Sequence, residues 1–199
     1  QTEKEKGDFH NLYKVPTLGG ASEKIVTDID SMVSFGPQGR EIVFRREYPD
    51  KLQSFLYIAG VDGTGERVIA ERQRPNGFTG GPAWSPDGKT IAAWVNEPVP
   101  DVNEFSLLAI QVADGSRSPI GSSKWRWPRM LRWLPDGSEL LVNGTSHAGE
   151  LYQIYRVAYP GGEVMRVTND FNKYDGVSVT TDGSSLVTVC EYCRSVVAR

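Results

Sequence analysis

The hexapeptide Ala83-Trp84-Ser85-Pro86-Asp87-Gly88 decides the fold, because versions of it recur along the chain. The other copies read SFGPQG at residues 34–39, RWLPDG at 132–137 and SVTTDG at 178–183. Their final glycines are 49, 49 and 46 residues apart. Proline presets φ, aspartate bonds its own backbone and glycine accepts a positive φ, so each copy predicts a tight turn between two strands.

A second series of strand-forming segments runs out of phase with the turns, and each segment ends in a glycine-containing turn. It reads LYKV at residues 12–15, LYIA at 56–59, LLAI at 107–110 and IYRV at 154–157. Each repeat of about 47 residues therefore contains two hairpins, which make one four-stranded antiparallel blade. The sequence predicts an all-β fold, a β-propeller built from such blades.

The phase of the repeat predicts where the blades lie. The chain begins in the second half of a blade and ends in the first half of another, giving about four blade equivalents. The expected units are a half blade at 8–28, complete blades at 29–73, 78–121 and 127–170, and a half blade at 174–199. The half blades could pair and close a ring of four, but we favour an arc of a larger propeller.

The aromatic residue two positions before each turn proline is expected to pack between neighbouring blades. These residues are Phe35, Trp84 and Trp133. Aromatic side chains bury a large apolar area, which suits the flat interface between two sheets.

The segment WSPDGKTIA at residues 84–92 resembles the WD-like repeat of TolB-type β-propellers. More narrowly, residues 166–189 resemble propellers that follow bacterial, acidobacterial-type serine/threonine kinases or winged-helix regulators. The resemblance implies a sensory or protein-interaction module, with further blades after Val189. It also implies a periplasmic or other extracytoplasmic location, although cytoplasmic propellers share this pattern.

Two short motifs resemble sites of known chemistry. The stretch GTSHAG at 144–149 is one residue longer than the Gly-x-Ser-x-Gly elbow of serine hydrolases, and it precedes a strand rather than a helix. The pair Cys190 and Cys193 has no second pair to complete a zinc site. We therefore expect no catalytic residue, metal site or cofactor within the chain.

Composition narrows the class of partner. The net charge is −3, which does not favour binding to nucleic acid, and no apolar run reaches about 18 residues, the length of a membrane span.

The leading hypothesis is a non-catalytic binding or scaffolding module for a protein or peptide. The alternative is the regulatory propeller of a serine/threonine kinase or serine peptidase whose catalytic domain lies outside this chain.

The loops that enter the first strand of each blade are the predicted interaction surface, by analogy with other propellers. They lie at residues 74–81 and 123–129. The residues proposed to contact the partner are Arg74, Trp125, Arg126 and Arg129.

Overall fold

The computed structural model describes residues 10–99, 102–145 and 150–191. Within these ranges the chain forms five antiparallel sheets, in which each strand pairs with its neighbour in the sequence. Three sheets have four strands and two have two. The prediction of a β-propeller of four-stranded blades is therefore confirmed.

The three complete blades share the same strand order. The first blade contains β3 (Ser34–Phe35), β4 (Glu41–Tyr48), β5 (Gln53–Gly60) and β6 (Arg67–Gln73). The second contains β7 (Phe78–Trp84), β8 (Thr90–Val99), β9 (Val102–Gln111) and β10 (Arg117–Pro119). The third contains β11 (Met130–Trp133), β12 (Glu139–Gly144), β13 (Gln153–Ala158) and β14 (Val164–Arg166).

A half blade lies at each end of this series. The N-terminal half blade contains β1 (Leu12–Lys14) and β2 (Glu23–Val26), and the C-terminal half blade contains β15 (Lys173–Val179) and β16 (Leu186–Glu191). The two half blades are separate sheets and do not pair with one another. Among the described strands the ring of four is therefore not closed, and the arrangement is that of a partial propeller.

Each junction between neighbouring sheets has its own hydrophobic core. Trp94, Trp125 and Trp133 lie in the core between the second and third blades. Smaller clusters occupy the other three junctions. The core is thus divided into layers, as expected when each repeat buries its faces only against its neighbours. No helix in the described ranges has the length and apolar character that a membrane span requires.

A buried arginine fastens the N-terminal half blade to the first blade. Arg46 is 7% exposed and forms two hydrogen bonds with the Glu66 carboxylate, at 2.6 and 3.0 Å. It also donates to the carbonyl oxygen of Thr27 at 2.9 Å and lies 4.5 Å from the centre of the Tyr57 ring. Burial alone would lower the pKa of Arg46, but the Glu66 carboxylate together with the Tyr48 hydroxyl more than offsets this and raises it.

The predicted role of the repeat aromatics holds at two positions and fails at the third. Trp84 and Trp133 are each 7% exposed, and the Trp133 Nε1 donates to the carbonyl of Ala83 in the preceding blade at 3.0 Å. Phe35, in contrast, is 60% exposed. The reason is that the described part of the preceding unit contains only its outer strands, so no inner strand covers this ring.

The Asp-Gly turns are held by the aspartate side chains. Each carboxylate accepts a hydrogen bond from the backbone N–H two residues later, at 2.9 to 3.1 Å. The pairs are Asp62 with Thr64, Asp87 with Lys89, Asp114 with Ser116, Asp136 with Ser138, and Asp182 with Ser184. These local bonds stabilise the turn and the charged form of each aspartate, so the pKa of all five is lowered.

The last turn provides a pH-dependent test. The Thr180 hydroxyl and the Ser184 N–H lower the pKa of Asp182 to about 2. Because this folded-state value lies below that of an unfolded chain, the turn's contribution to stability is present above about pH 4 and is lost as the pH falls toward 2. NMR titration of the Asp182 carboxyl is expected to give this pKa, and Thr180→Ala is expected to raise it. An ordinary value near 4 in the unmodified protein would contradict the turn geometry.

Candidate interaction surface

The loops that enter the first strand of each blade lie on one face of the propeller, which we call the upper face. Strands alternate in direction, so these loops emerge at the same end as the connections between second and third strands. The Asp-Gly turns lie at the opposite end, on the lower face. The upper face therefore gathers residues 74–77 and 123–129, which include all four residues predicted from the sequence to form the interaction surface.

The loop at 123–129 is held between two blades by its backbone. Trp125 and Phe105 exchange two N–H···O hydrogen bonds of 2.9 Å, which tie the loop to β9. The Arg126 N–H donates to the carbonyl of Thr145 at 3.0 Å, and the Arg129 N–H donates to that of Asn143 at 2.9 Å. These bonds place the side chains of the loop on a fixed support.

The assignment of Trp125 to the interaction surface is wrong. Its side chain is 1% exposed and packs edge to face against Trp94 and Tyr155, with ring centroids 5.7 and 5.0 Å apart. Such pairs stabilise a core beyond the apolar area they bury. Trp125 is therefore a core residue at the junction of the second and third blades.

Trp127, two positions further on, is the exposed aromatic residue of this loop. It is 54% exposed, whereas Trp84, Trp94, Trp125 and Trp133 are each 7% exposed or less. In a regular strand residues 125 and 127 would share a face. The chain bends at 126–127 before Pro128, and this bend turns Trp127 outward. The sequence contained both tryptophans, but only the bend distinguishes them.

Arg126 and Arg129 lie on the upper face, and each forms an ion pair with a neighbouring element. Arg126 lies 3.4 Å from the Glu104 carboxylate on β9. Arg129 lies 2.9 Å from the Asp175 carboxylate on β15 and stacks on the Tyr152 ring at 4.3 Å. The Tyr152 hydroxyl and the Asp175 carboxylate raise the pKa of Arg129. Both arginines therefore link blades as well as lining the surface.

Arg74 lies on the preceding upper-face loop and is 47% exposed at its side chain. It donates to Glu47 at 2.7 Å and lines a cleft of about 370 Å³. Thr79 and Phe105 line the same cleft, so it lies where the first and second blades meet. Phe105 also pairs with Trp125, and this contact places the cleft next to the loop that carries Trp127.

A further ion pair missed by the sequence analysis lies beside this cleft. Lys124 bonds Glu97 of β8, and the Ser106 hydroxyl donates to the same carboxylate at 2.6 Å. The Lys124 ammonium, with Ser106, holds the pKa of Glu97 below its ordinary value. Lys124, Arg126 and Arg129 of this loop are thus each paired with an acidic side chain. The exposed tryptophan on the upper face is therefore surrounded by ion pairs.

The motifs at residues 144–149 and 190–193 add no chemical site to the upper face in the part of the chain that the structure describes. Ser146 and Cys193 lie outside the described residues. Cys190 is a free, half-buried thiol on β16. Among residues 10–99, 102–145 and 150–191, no three histidine, cysteine, aspartate or glutamate side chains come together in a way that could hold a metal ion.

Solved structures place the architecture among known folds. TolB from Acinetobacter baumannii superposes with a TM-score of 0.71 at 20% identity, over 89% of this chain and 42% of that chain. The fold is a TolB-like β-propeller. A putative TolB from Agrobacterium tumefaciens gives 0.68 at 21% identity, over 94% of this chain and 65% of that one. These identities support the TolB-like fold alone, and no family model matches the chain.

Enzymes also match this TolB-like propeller. Dipeptidyl-peptidase 5 of Trichophyton equinum is 29% identical over 153 residues, which cover 70% of this chain. The chain spans 20% of the length of that curated relative. An acylaminoacyl peptidase from Pyrococcus horikoshii gives a TM-score of 0.52 at 14% identity, over 83% of this chain and 31% of that one. The fold by itself therefore does not assign an activity, and the resemblance to kinase or winged-helix propellers stays a prediction.

Proposed function

We propose that the chain is a binding module that recognises a protein or peptide through its upper face. The observation that carries the proposal is the exposure of Trp127 on a loop whose other large side chains are buried or paired. Tryptophan and arginine are the residues most enriched among those that dominate binding energy at protein interfaces. In this proposal Trp127 replaces Trp125 among the residues that contact the partner.

The surroundings of Trp127 define the partner chemistry. Arg126 and Arg129 flank it, but Glu104 and Asp175 neutralise them locally. A surface of this kind lacks the uncompensated positive charge that binds phosphate backbones. It suits a segment that places an apolar side chain against the indole ring and pairs its own polar groups with the charged rim.

A displayed peptide library selected against the chain tests the proposal. Trp127→Ala is expected to raise the dissociation constant of the selected peptides about 30-fold, which corresponds to ~2 kcal/mol, the effect of a dominant interface residue. Met165→Ala is the matched control, because Met165 is 53% exposed and lies on the outer strand β14. It is expected to leave the dissociation constant unchanged. Peptides that bind the Trp127→Ala variant equally well, or a selection that yields none, would contradict the proposal.

A second candidate function is the propeller domain of a serine peptidase. The identity with dipeptidyl-peptidase 5 over 70% of this chain favours it. In that case a fluorophosphonate probe is expected to label a serine of the full-length protein outside these 199 residues. The absence of any labelled serine would eliminate this candidate and leave the binding module unaffected.

A further inference from the structure

Two neighbouring arginines lie at the junction of the first and second blades. Arg72 is a half-buried residue of β6, and Arg117 is an exposed residue of β10. The Arg117 guanidinium reaches across the junction and donates to the carbonyl oxygen of Glu71 at 2.8 Å. Burial and the positive charge of Arg117 both lower the pKa of Arg72. The two guanidinium groups are therefore close enough to repel one another.

Both guanidinium groups are bonded to the backbone instead of to carboxylates. The Arg72 Nε donates to the carbonyl of Asn76, as Arg117 does to that of Glu71. In the part of the chain that the structure describes, neither arginine forms an ion pair, whereas six other arginines do. Two adjacent guanidinium groups with unused N–H donors favour an anion that accepts hydrogen bonds from both.

A nearby carboxylate does not neutralise the pair. The charge of Glu97 opposes the lowering of the Arg72 pKa, but both oxygens of this carboxylate are already engaged. One accepts a hydrogen bond from the Ser106 hydroxyl at 2.6 Å, and the other is bonded by Lys124. Arg72, Arg117 and Lys124 thus share one carboxylate, which leaves an excess of positive charge at this junction although the net charge of the chain is −3.

The arginine pair adjoins the surface proposed to bind a peptide. Asn76, which accepts the bond from Arg72, lies between Pro75 and Gly77, and both of these line the cleft of about 370 Å³. Lys124 precedes Trp127 by three positions in the loop at 123–129, so their Cα atoms lie within about 11 Å of each other. One extended segment can therefore contact Trp127 and reach the positive charge at this junction.

We propose that Arg72 and Arg117 bind a carboxylate of the partner, which makes the partner an acidic peptide. This inference rests on the proposed recognition of a peptide by the upper face, and it adds the charge of that peptide. An apolar side chain of the peptide packs on Trp127, and a carboxylate a few residues away accepts hydrogen bonds from both guanidinium groups. The planar guanidinium suits this role because it donates two parallel hydrogen bonds to a carboxylate.

A pentaglutamate peptide with both ends blocked tests the arginine pair independently of Trp127. NMR titration is expected to shift the Nε–H signals of Arg72 and Arg117 and to leave that of Arg67 in place. Arg67 is the matched control, because it is an exposed arginine at the other end of β6. Blocked pentaglutamine is expected to shift none of the three, and Trp127→Ala is expected to leave the glutamate-induced shifts unchanged.

The outcomes of this titration separate the two proposals. Unshifted signals at Arg72 and Arg117, equal shifts at Arg67, or the same shifts with pentaglutamine overturn the acidic site and leave the role of Trp127 standing. A decamer of thymidine that competes with pentaglutamate at equal charge would show recognition of phosphate and also overturn it. If the peptide library yields no binder, the role of Trp127 is contradicted, and the titration still decides whether the arginine pair binds carboxylates.

Peptides selected from the library test the site through their affinity. The double variant Arg72→Gln and Arg117→Gln is expected to raise their dissociation constant about 10-fold, the loss of one charge-assisted pair, whereas Arg67→Gln leaves it unchanged. Replacing the peptide's acidic residue by its amide is expected to cause the same loss, and amidation of its C-terminus does so only if the carboxylate is terminal. Combining the protein and peptide changes is expected to cost no more than either alone. Additive losses, or full affinity in the double variant, overturn the inference.

Discussion

Replacement of Trp125 by alanine is expected to lower the free energy of unfolding by about 3–5 kcal/mol, the range for truncating a large buried aromatic residue. Trp125 is 1% exposed and contacts the rings of Trp94 and Tyr155, so its removal leaves a cavity at the junction of the second and third blades. Urea denaturation followed by circular dichroism measures the loss.

The matched control for this experiment is Trp127→Ala. Trp127 lies in the same loop and is 54% exposed, so its replacement is expected to change the free energy of unfolding by less than about 0.5 kcal/mol. The same variant is expected to abolish most peptide binding. Of two tryptophans separated by one residue, Trp125 would thus affect the free energy of unfolding and Trp127 the binding of peptides. Similar stability losses for both variants would mean that the bend at 126–127 does not separate them.

Replacement of Gly162 by alanine is the second change with a large expected effect. Gly162 has a φ of +81°, and a Cβ there would lie 2.1 Å from the Cα of Gly121 in the preceding blade. Backbone atoms cannot move aside as the end of a flexible side chain can. We expect a loss of about 2–5 kcal/mol, which combines the left-handed backbone strain with separation of the two blades.

Gly39→Ala separates these two contributions. Gly39 has a φ of +64°, but no atom lies within 4 Å of a Cβ built there. Its replacement is expected to cost only the backbone strain, about 1–2 kcal/mol. Thermal and urea unfolding of both variants gives the comparison. If Gly162→Ala is no more destabilising than Gly39→Ala, the result would contradict the close contact between Gly162 of the third blade and Gly121 of the second.

The blade architecture could be predicted from the sequence because its determinants are local. A turn such as Asp182-Gly183 is stabilised by a bond between the aspartate side chain and an N–H two residues later, and it forms wherever that short segment occurs. The strands on either side follow from short apolar runs rich in strand-forming residues, and the period of the repeat gives the number of blades in this stretch. None of these features depends on side chains contributed by a neighbouring blade.

The candidate site could be predicted only as a region. The loop at 123–129 is on the upper face, but which of its side chains are buried, paired or exposed depends on residues that are distant in sequence. Trp125 is buried because Trp94 and Tyr155 surround it. Arg129 is paired because β15 brings Asp175 within 2.9 Å. A list of aromatic and basic residues cannot reveal this division.

The sequence by itself determined the repeat, the turns and the four-stranded blade, since these depend on bonds within a few residues. The tertiary structure decided which aromatic residues are covered, because that depends on the facing sheet. Phe35 and Trp133 occupy the same repeat position, yet one is 60% exposed and the other 7%. The difference arises because Trp133 has the inner strand of a complete blade against it, whereas beside Phe35 the structure describes only the outer strands of a half blade.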